Sequence, residues 1–307
     1  MFDLQSSTFF CLPLKSIKLN IIFQINGGIG KSVASTGVVR AIKEQYPEDQ
    51  LLVVTSYPEV FINNPHVDRC LGIGNFSYFY SDYVKDKDIR LMLQDPYLET
   101  EHVTYSEHLL QTWSRMNGIE KYYMPEIYLT EREINFTSQR FQSEKPIFLL
   151  QTNGGAQEQE MKYSWARDLP QKVIEKVVEE FSYDYNIVHV RREDQTQILG
   201  TTAVHDSFRS ICVLAMLSQK RLLIDSFIQH TCAALNLPST VCWVVNKPGV
   251  FGYTIHDNIE CLPFTRPYDY RYSYINPFNI TGDPIEFPYN HEGEIFDADT
   301  IIKSLKK

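Results

Sequence analysis

Two short stretches carry residue types that could bind and activate a charged ligand. Asn26-Gly27-Gly28-Ile29-Gly30-Lys31-Ser32 follows the apolar run Ile21–Ile25 and opens a helical stretch reaching Tyr46. Asp225-Ser226-Phe227-Ile228-Gln229-His230 follows Arg221–Ile224 and opens another at Thr231–Leu235. In both, small or polar residues stand where a buried strand ends and a helix begins. Glycine lets a backbone come close to a ligand, and unpaired N–H groups at a helix start attract negative charge. In open α/β sheets, ligands sit in the crevice beyond the carboxyl ends of the strands. Two such junctions in two halves of similar size imply two domains facing one cleft.

The first junction admits more than one chemistry. A phosphate loop of the standard pattern needs glycine where Ile25 stands. A Gly-Gly-x-Gly-Lys variant fits the spacing better, but it usually opens with lysine, and here that position is Asn26. Such an NTPase also needs an acidic strand end for magnesium, which Asp95 or Asp225 could supply. The same glycines could instead bring backbone amides up to a sugar or phosphate, or could do no more than pack a helix onto a strand.

The elements that must position these residues follow from the apolar pattern. Strands are expected at Lys18–Ile25, Leu51–Thr55, Cys70–Ile73 and Ile89–Gln94, and helices at Ser32–Gln45, Pro58–Asn63 and His108–Asn117. A boundary is expected near Ser143–Pro146, after the polar helical stretch Glu131–Gln142, giving domains 1–145 and 146–307. The second half repeats the alternation, with strands at Ile147–Gln151, Asn186–Val190, Arg221–Ile224 and Thr240–Val245. Its helices are expected at Pro170–Phe181, Phe208–Leu217, Gln229–Leu235 and Asp297–Lys306. Alternation with apolar strands implies parallel sheets covered on both faces. From Phe251 to Tyr289 the pattern fails. That stretch holds Tyr253, Tyr268, Tyr270, Tyr272, Tyr274 and Tyr289, and it reads as an ordered lid or packing segment.

Composition bounds the class. With 43% hydrophobic and 22% charged residues in 307, the chain is a globular protein large enough for two cores. A formal charge of -9 argues against a polyanion as main partner, although Lys162, Arg167, Arg191, Arg192 and Arg209 could form a local basic patch. The six cysteines contain no Cys-x-x-Cys pair and read as reduced thiols. Met1–Asn20 lacks the basic start and small-residue cleavage site of a signal peptide, and no run approaches the roughly 18 apolar residues of a membrane span. The expectation is a cytoplasmic protein with a loosely attached amino-terminal arm and no transmembrane segment.

The motifs, taken in order, resemble the heptosyltransferase-like enzymes of glycosyltransferase family 9. The resemblance rests on Gly28-Ile29-Gly30-Lys31-Ser32 with the helix Val38–Pro47, on Leu52-Val53-Val54-Thr55, and on Asn63-Asn64-Pro65-His66-Val67-Asp68. It resumes at Lys162-Tyr163-Ser164-Trp165 and at Leu222–Ser226 through His230, Ala233, Ala234 and Leu235, covering most of residues 18–250. It implies the GT-B fold, an α/β architecture of two Rossmann-like domains facing a central cleft. The carboxy-terminal domain would bind a nucleotide diphosphate sugar. Asp225 would contact the sugar, while Ser226 and the helix start before His230 would hold the diphosphate. Lys162 would reach the donor phosphates. Thr152, in the strand-end loop Gln151-Thr152-Asn153-Gly154-Gly155, and Glu193, after the strand Ile187–Val190, are further donor-side candidates. Gly27, Gly28 and Gly30 would form the acceptor-side loop.

Two departures bear on catalysis. The family usually has aspartate, its favoured catalytic base, after the glycine matching Gly30, and here that position is Lys31. A lysine of ordinary pKa is protonated at neutral pH and cannot accept a proton, so Lys31 would act in catalysis by holding an anionic acceptor or a donor phosphate. Asp95, at the end of the strand Ile89–Gln94, is then the candidate base, with Glu99, Glu101 and His102 in reserve. Phe227 stands where the family commonly has glycine. The resemblance implies inverting sugar transfer to a hydroxyl of a glycan, a lipid-linked acceptor or a modified nucleic-acid base, with domain closure over both substrates. No cofactor and no metal are called for, since no His/Cys/Asp spacing reads as a metal site. A P-loop NTPase and a non-catalytic nucleotide-sugar binder are the competing readings.

Overall fold

A computed structural model describes residues 18–74, 76–154, 165–193, 195, 197–266 and 287–307. The amino-terminal half builds one parallel sheet. Its strands are β1 (Asn20–Ile25), β2 (Gln50–Thr55), β3 (Arg69–Gly72) and β4 (Ile89–Met92), in the order β3-β2-β1-β4. The helices α1 (Ile29–Gln45), α2 (Thr100–Val103), α3 (Leu109–Met116) and α4 (Glu131–Arg140) follow the chain through this half. The strand period of two decides which residues meet the helices. Ile21, Phe23 and Ile25 share a core with Val33, Val38 and Ile42 of α1 and Trp113 of α3. Near the middle of α1, Gly37 lies so close to the extended segment before α4 that an added Cβ would sit 2.1 Å from the Tyr123 carbonyl oxygen.

The carboxy-terminal half builds a second, larger parallel sheet. Its strands are β5 (Ile147–Leu150), β6 (Asn186–Val190), β7 (Thr202–Val204), β8 (Ser218–Ile224), β9 (Thr240–Trp243) and β10 (Asp257–Glu260), in the order β10-β9-β8-β5-β6-β7. Its helices are α5 (Gln171–Phe181), α6 (Phe208–Leu217), α7 (Phe227–Ala234), α8 (Pro248–Phe251) and α9 (Ala298–Leu305). All four residues of β5 are buried, as a central strand covered on both faces requires. The neighbours β8 and β5 carry the second junction to the same end of the sheet as the loop after β5.

The amino-terminal sheet departs from the expectation of two covered faces. Ile89 and Leu91, in register with Asn20 and Ile22, are 37% and 49% exposed on the edge strand β4. Other differences are local. β4 ends at Met92, and Asp95 begins a short turn of helix over Pro96–Leu98 instead of closing the strand. β7 has only three residues, and β10 is the polar run Asp-Asn-Ile-Glu, so neither shows an apolar signature. Within the Tyr-rich stretch, Tyr253 and Tyr289 are core residues at 3% and 1% exposure. Tyr268, Tyr270, Tyr272 and Tyr274 lie outside the described residues, as does the amino-terminal arm to residue 17.

The two halves share apolar packing. Phe208 and Cys212 of α6, Ala233 of α7 and Tyr253 belong to the same core as β1 and α1. An ion pair adds to this seam. The Arg209 guanidinium donates from Nε to Glu133 Oε1 at 2.5 Å and from Nη2 to Glu133 Oε2 at 2.8 Å, joining α6 to α4. Burdened with that guanidinium, the Glu133 carboxyl is pulled down to about 2. Glu133 also closes the capping box of α4 with Thr130.

Candidate functional site

A cleft of about 380 Å³ opens where the two junctions meet. Gly28, Gly30 and Lys31 of the first junction line it, together with Tyr57 and Tyr97. Asp225, Ser226, Phe227 and His230 of the second junction line it from the other half, with Arg167, Asn246 and Phe251.

The first wall is self-neutralised. Lys31 lies in the first turn of α1, where the helix dipole disfavours a cation, and it is 7% exposed. Its Nζ donates to Asp95 Oδ1 at 2.7 Å and sits 4.4 Å above the Tyr97 ring. Burial pulls the Lys31 pKa below the usual lysine value, and the Asp95 carboxylate pulls it part of the way back. Asp95 Oδ1 also accepts from the Tyr97 backbone N–H at 3.0 Å. Among the described residues, both bonds to this carboxylate fall on Oδ1, leaving Oδ2 to accept another proton or hydrogen bond. Of the reserve groups, Glu99 and Glu101 pair with Arg115 at 3.7 and 2.7 Å. His102 stacks on Tyr97 with ring centroids 4.7 Å apart, and burial pushes it down to about 4.

The glycines divide by role. Gly27 has a φ of +106°, a conformation that side chains disfavour. A Cβ on Gly28 would meet open space, so its backbone is open to the cleft. At Gly30 a Cβ would come within 3.3 Å of Phe227 Cα and His230 Cδ2. Gly30 therefore lets α1 pack against α7, a contact between the halves.

The second wall leaves its helix field unanswered. Ser226 is the N-cap of α7, yet its side chain makes no capping bond, and the first turn holds no acidic residue. Instead the Ser226 hydroxyl oxygen accepts from Gln151 Nε2 at 3.1 Å. That arrangement frees the serine proton to donate to a ligand, alongside the unpaired amides of the helix start. Asp225, 6% exposed, accepts on Oδ2 from Asn246 Nδ2 and has Arg167 Nε at 3.7 Å. His230 bonds through Nδ1 to the Tyr253 hydroxyl at 2.8 Å, and burial pushes its imidazole down to about 3. It is a neutral side chain at physiological pH.

Other sequence candidates fall elsewhere. Thr152 is 1% exposed, with its hydroxyl bonded to His189 Nε2 and donating to Asn153 Oδ1, and it does not line the cleft. Glu193 lies on an exposed turn, where its carbonyl accepts from Arg191. Lys162 lies outside the described residues. Of the residues that could form a basic patch, Arg209 is committed to Glu133 and Arg191 to backbone carbonyls, and among the described residues Arg167 lines the cleft. Tyr97, Asn246 and Phe251 had no motif to mark them. Tyr97 lies in the helical turn after β4, Asn246 in the loop after β9, and Phe251 at the end of α8.

Solved structures share this arrangement of lobes. The glycosyltransferase family 9 protein of Veillonella parvula superposes with a TM-score of 0.62 at 10% identity, covering 94% of this chain and 96% of that one. ADP-heptose lipopolysaccharide heptosyltransferase II of E. coli gives 0.60 at 14% identity, with 80% and 91% covered. The E. coli heptosyltransferase WaaC with ADP gives 0.53 at 7% identity, with 79% and 93% covered. The fold is GT-B. No family model and no curated protein matches the chain. Within the GT-B frame the cleft just described is the groove between the two Rossmann-like lobes, and the two junctions are its opposing walls. No helix among the described residues is long and apolar enough to cross a membrane.

Proposed function

We propose that this protein is a glycosyltransferase that moves a sugar from a nucleotide diphosphate sugar to an acceptor hydroxyl. The observation that carries this reading is the chemical asymmetry of the GT-B cleft. Its carboxy-terminal wall offers uncapped α7 amides, the Ser226 hydroxyl and Arg167 to a diphosphate. Its amino-terminal wall offers a carboxylate–lysine pair. As the sugar–oxygen bond breaks, charge grows on the departing diphosphate, and fixed donors in a partly dry site stabilise it. Asp95, held in place by Lys31, takes the proton from the acceptor alcohol. A single displacement across the cleft inverts the anomeric carbon. Because the amides and Arg167 meet the diphosphate charge, transfer proceeds without a metal ion, and chelator leaves the rate unchanged.

A thermal-shift screen of ADP-, UDP- and GDP-sugars against ATP with magnesium tests this. Stabilisation by one nucleotide sugar, followed by transfer to an alcohol of a glycan, a lipid-linked sugar or a modified nucleic-acid base, is the expected result. Stabilisation by ATP with magnesium alone would sink it. Geometry disfavours the phosphate-loop alternative, because Lys31 is packed over Tyr97 and held by Asp95 rather than extended to a phosphate. We place the reaction in the cytoplasm, in keeping with the five free cysteines of the described residues.

A further inference from the structure

Asn246 stands just past the end of β9, lines the cleft and is only 2% exposed. Its Nδ2 donates to Asp225 Oδ2. A carboxylate beside a primary amide fixes the amide's orientation, since the opposite one would set two acceptor oxygens against each other. The Asn246 carbonyl oxygen must therefore face away from Asp225. There it is buried and, among the described residues, has no hydrogen-bond partner. An unpaired buried acceptor costs about 1–3 kcal/mol, and a native structure keeps one only for a reason. Beside it, the contacts holding the Asp225 carboxylate reach Oδ2, among the described residues.

We infer that Asn246 reads the donor's sugar: its Oδ1 and the Asp225 carboxylate together accept hydrogen bonds from sugar hydroxyls. This rests on the nucleotide-sugar reading above and narrows it. Two acceptors side by side are satisfied by a donor-rich group and repel an anion. Arg167 already stands beside Asp225, so the pair requires no cation from the ligand. The sugar is thus a neutral, polyhydroxylated one, and a uronate is rejected. The diphosphate lies towards Ser226 and the α7 amides, where the donors are.

The test is calorimetric titration of the full chain with ADP, UDP and GDP, with their glucose conjugates, with UDP-glucuronate, and with monodeoxy versions of the conjugate that binds. Asn246→Ala is expected to weaken the glucose conjugate about tenfold and to leave the bare diphosphate within about twofold. One monodeoxy donor should bind the unaltered protein about tenfold more weakly than its parent and bind Asn246→Ala no more weakly. That coupling separates sugar contact from a purely structural role. Equal weakening of diphosphate and conjugate by Asn246→Ala overturns the inference, because Asn246 then only props Asp225. If the variant does not fold, the deoxy and uronate donors decide on the unaltered chain, and indifference to both overturns it. If no nucleoside diphosphate binds at all, the transferase reading falls along with it.

Discussion

The two strand-to-helix junctions have one backbone plan and opposite electrostatics. At the end of β1 the helix start receives a cation, Lys31, which is then cancelled by Asp95 from a different loop. At the end of β8 the carboxylate comes first, at Asp225, and the helix start is left uncapped and unneutralised. A helix N-terminus attracts anions only while its field is unspent. On our proposal the second junction is therefore where the diphosphate binds, and the first is where a proton is held or moved. The contrast shows why a Gly-rich loop ending in lysine does not by itself make a phosphate loop.

The largest effect should come from breaking the first junction. Asp95→Asn is expected to lower kcat by about 10²–10⁴-fold, with donor KM little changed, in steady-state kinetics. It also leaves a buried ammonium without its partner, so thermal melts should shift down. Adding Lys31→Met should restore the melting temperature without restoring turnover. Recovery of turnover in the double variant would show that the pair is structural.

Acid sharpens the comparison next, because each junction leans on a buried neutral histidine. The unfolded chain binds a proton near pH 6.5, whereas His230 does so at about 3 and His102 at about 4. Below pH 6.5 the unfolded state is therefore favoured, by up to about 1.4 kcal/mol per pH unit for each histidine. Urea midpoints measured at pH 7, 6 and 5 should fall progressively. His230→Gln should flatten that slope, and an unchanged slope would count against the burial argument.

At the second junction, Arg167→Ala and Ser226→Ala should each weaken nucleoside diphosphate binding by about tenfold, read by calorimetry. The same substitutions should leave the loss of turnover caused by Asp95→Asn unchanged in fold. The smallest effect is steric. Gly30→Ala should cost about 1 kcal/mol by denaturant titration, since its Cβ must press on Phe227 and His230 across the seam.

Much of this was legible in the chain. The β6 and α6 limits follow from the residues alone, since five apolar-rich positions at Asn186–Val190 and an unbroken helical run at Phe208–Leu217 have sharp ends. The opposed junctions also follow from strand-to-helix logic, whereas the pairing of Lys31 with Asp95 does not, because no spacing rule links a helix start to the loop after another strand. β7 and β10 escaped because short edge strands need no apolar alternation. Arg167, Tyr97 and Asn246 reach the cleft through tertiary folding, and no spacing rule links them to Asp225. Thr152 shows the converse. A small polar residue at a strand end looks like a ligand contact, yet its hydroxyl is spent on His189 and Asn153.

The core that Phe208, Cys212, Ala233 and Tyr253 share with β1 and α1 has a practical consequence. These halves are not interchangeable cassettes. A chimera joined near residue 145 would graft a foreign lobe onto an oily surface shaped for α6 and α7, and it would aggregate unless those two helices travelled with their original neighbours.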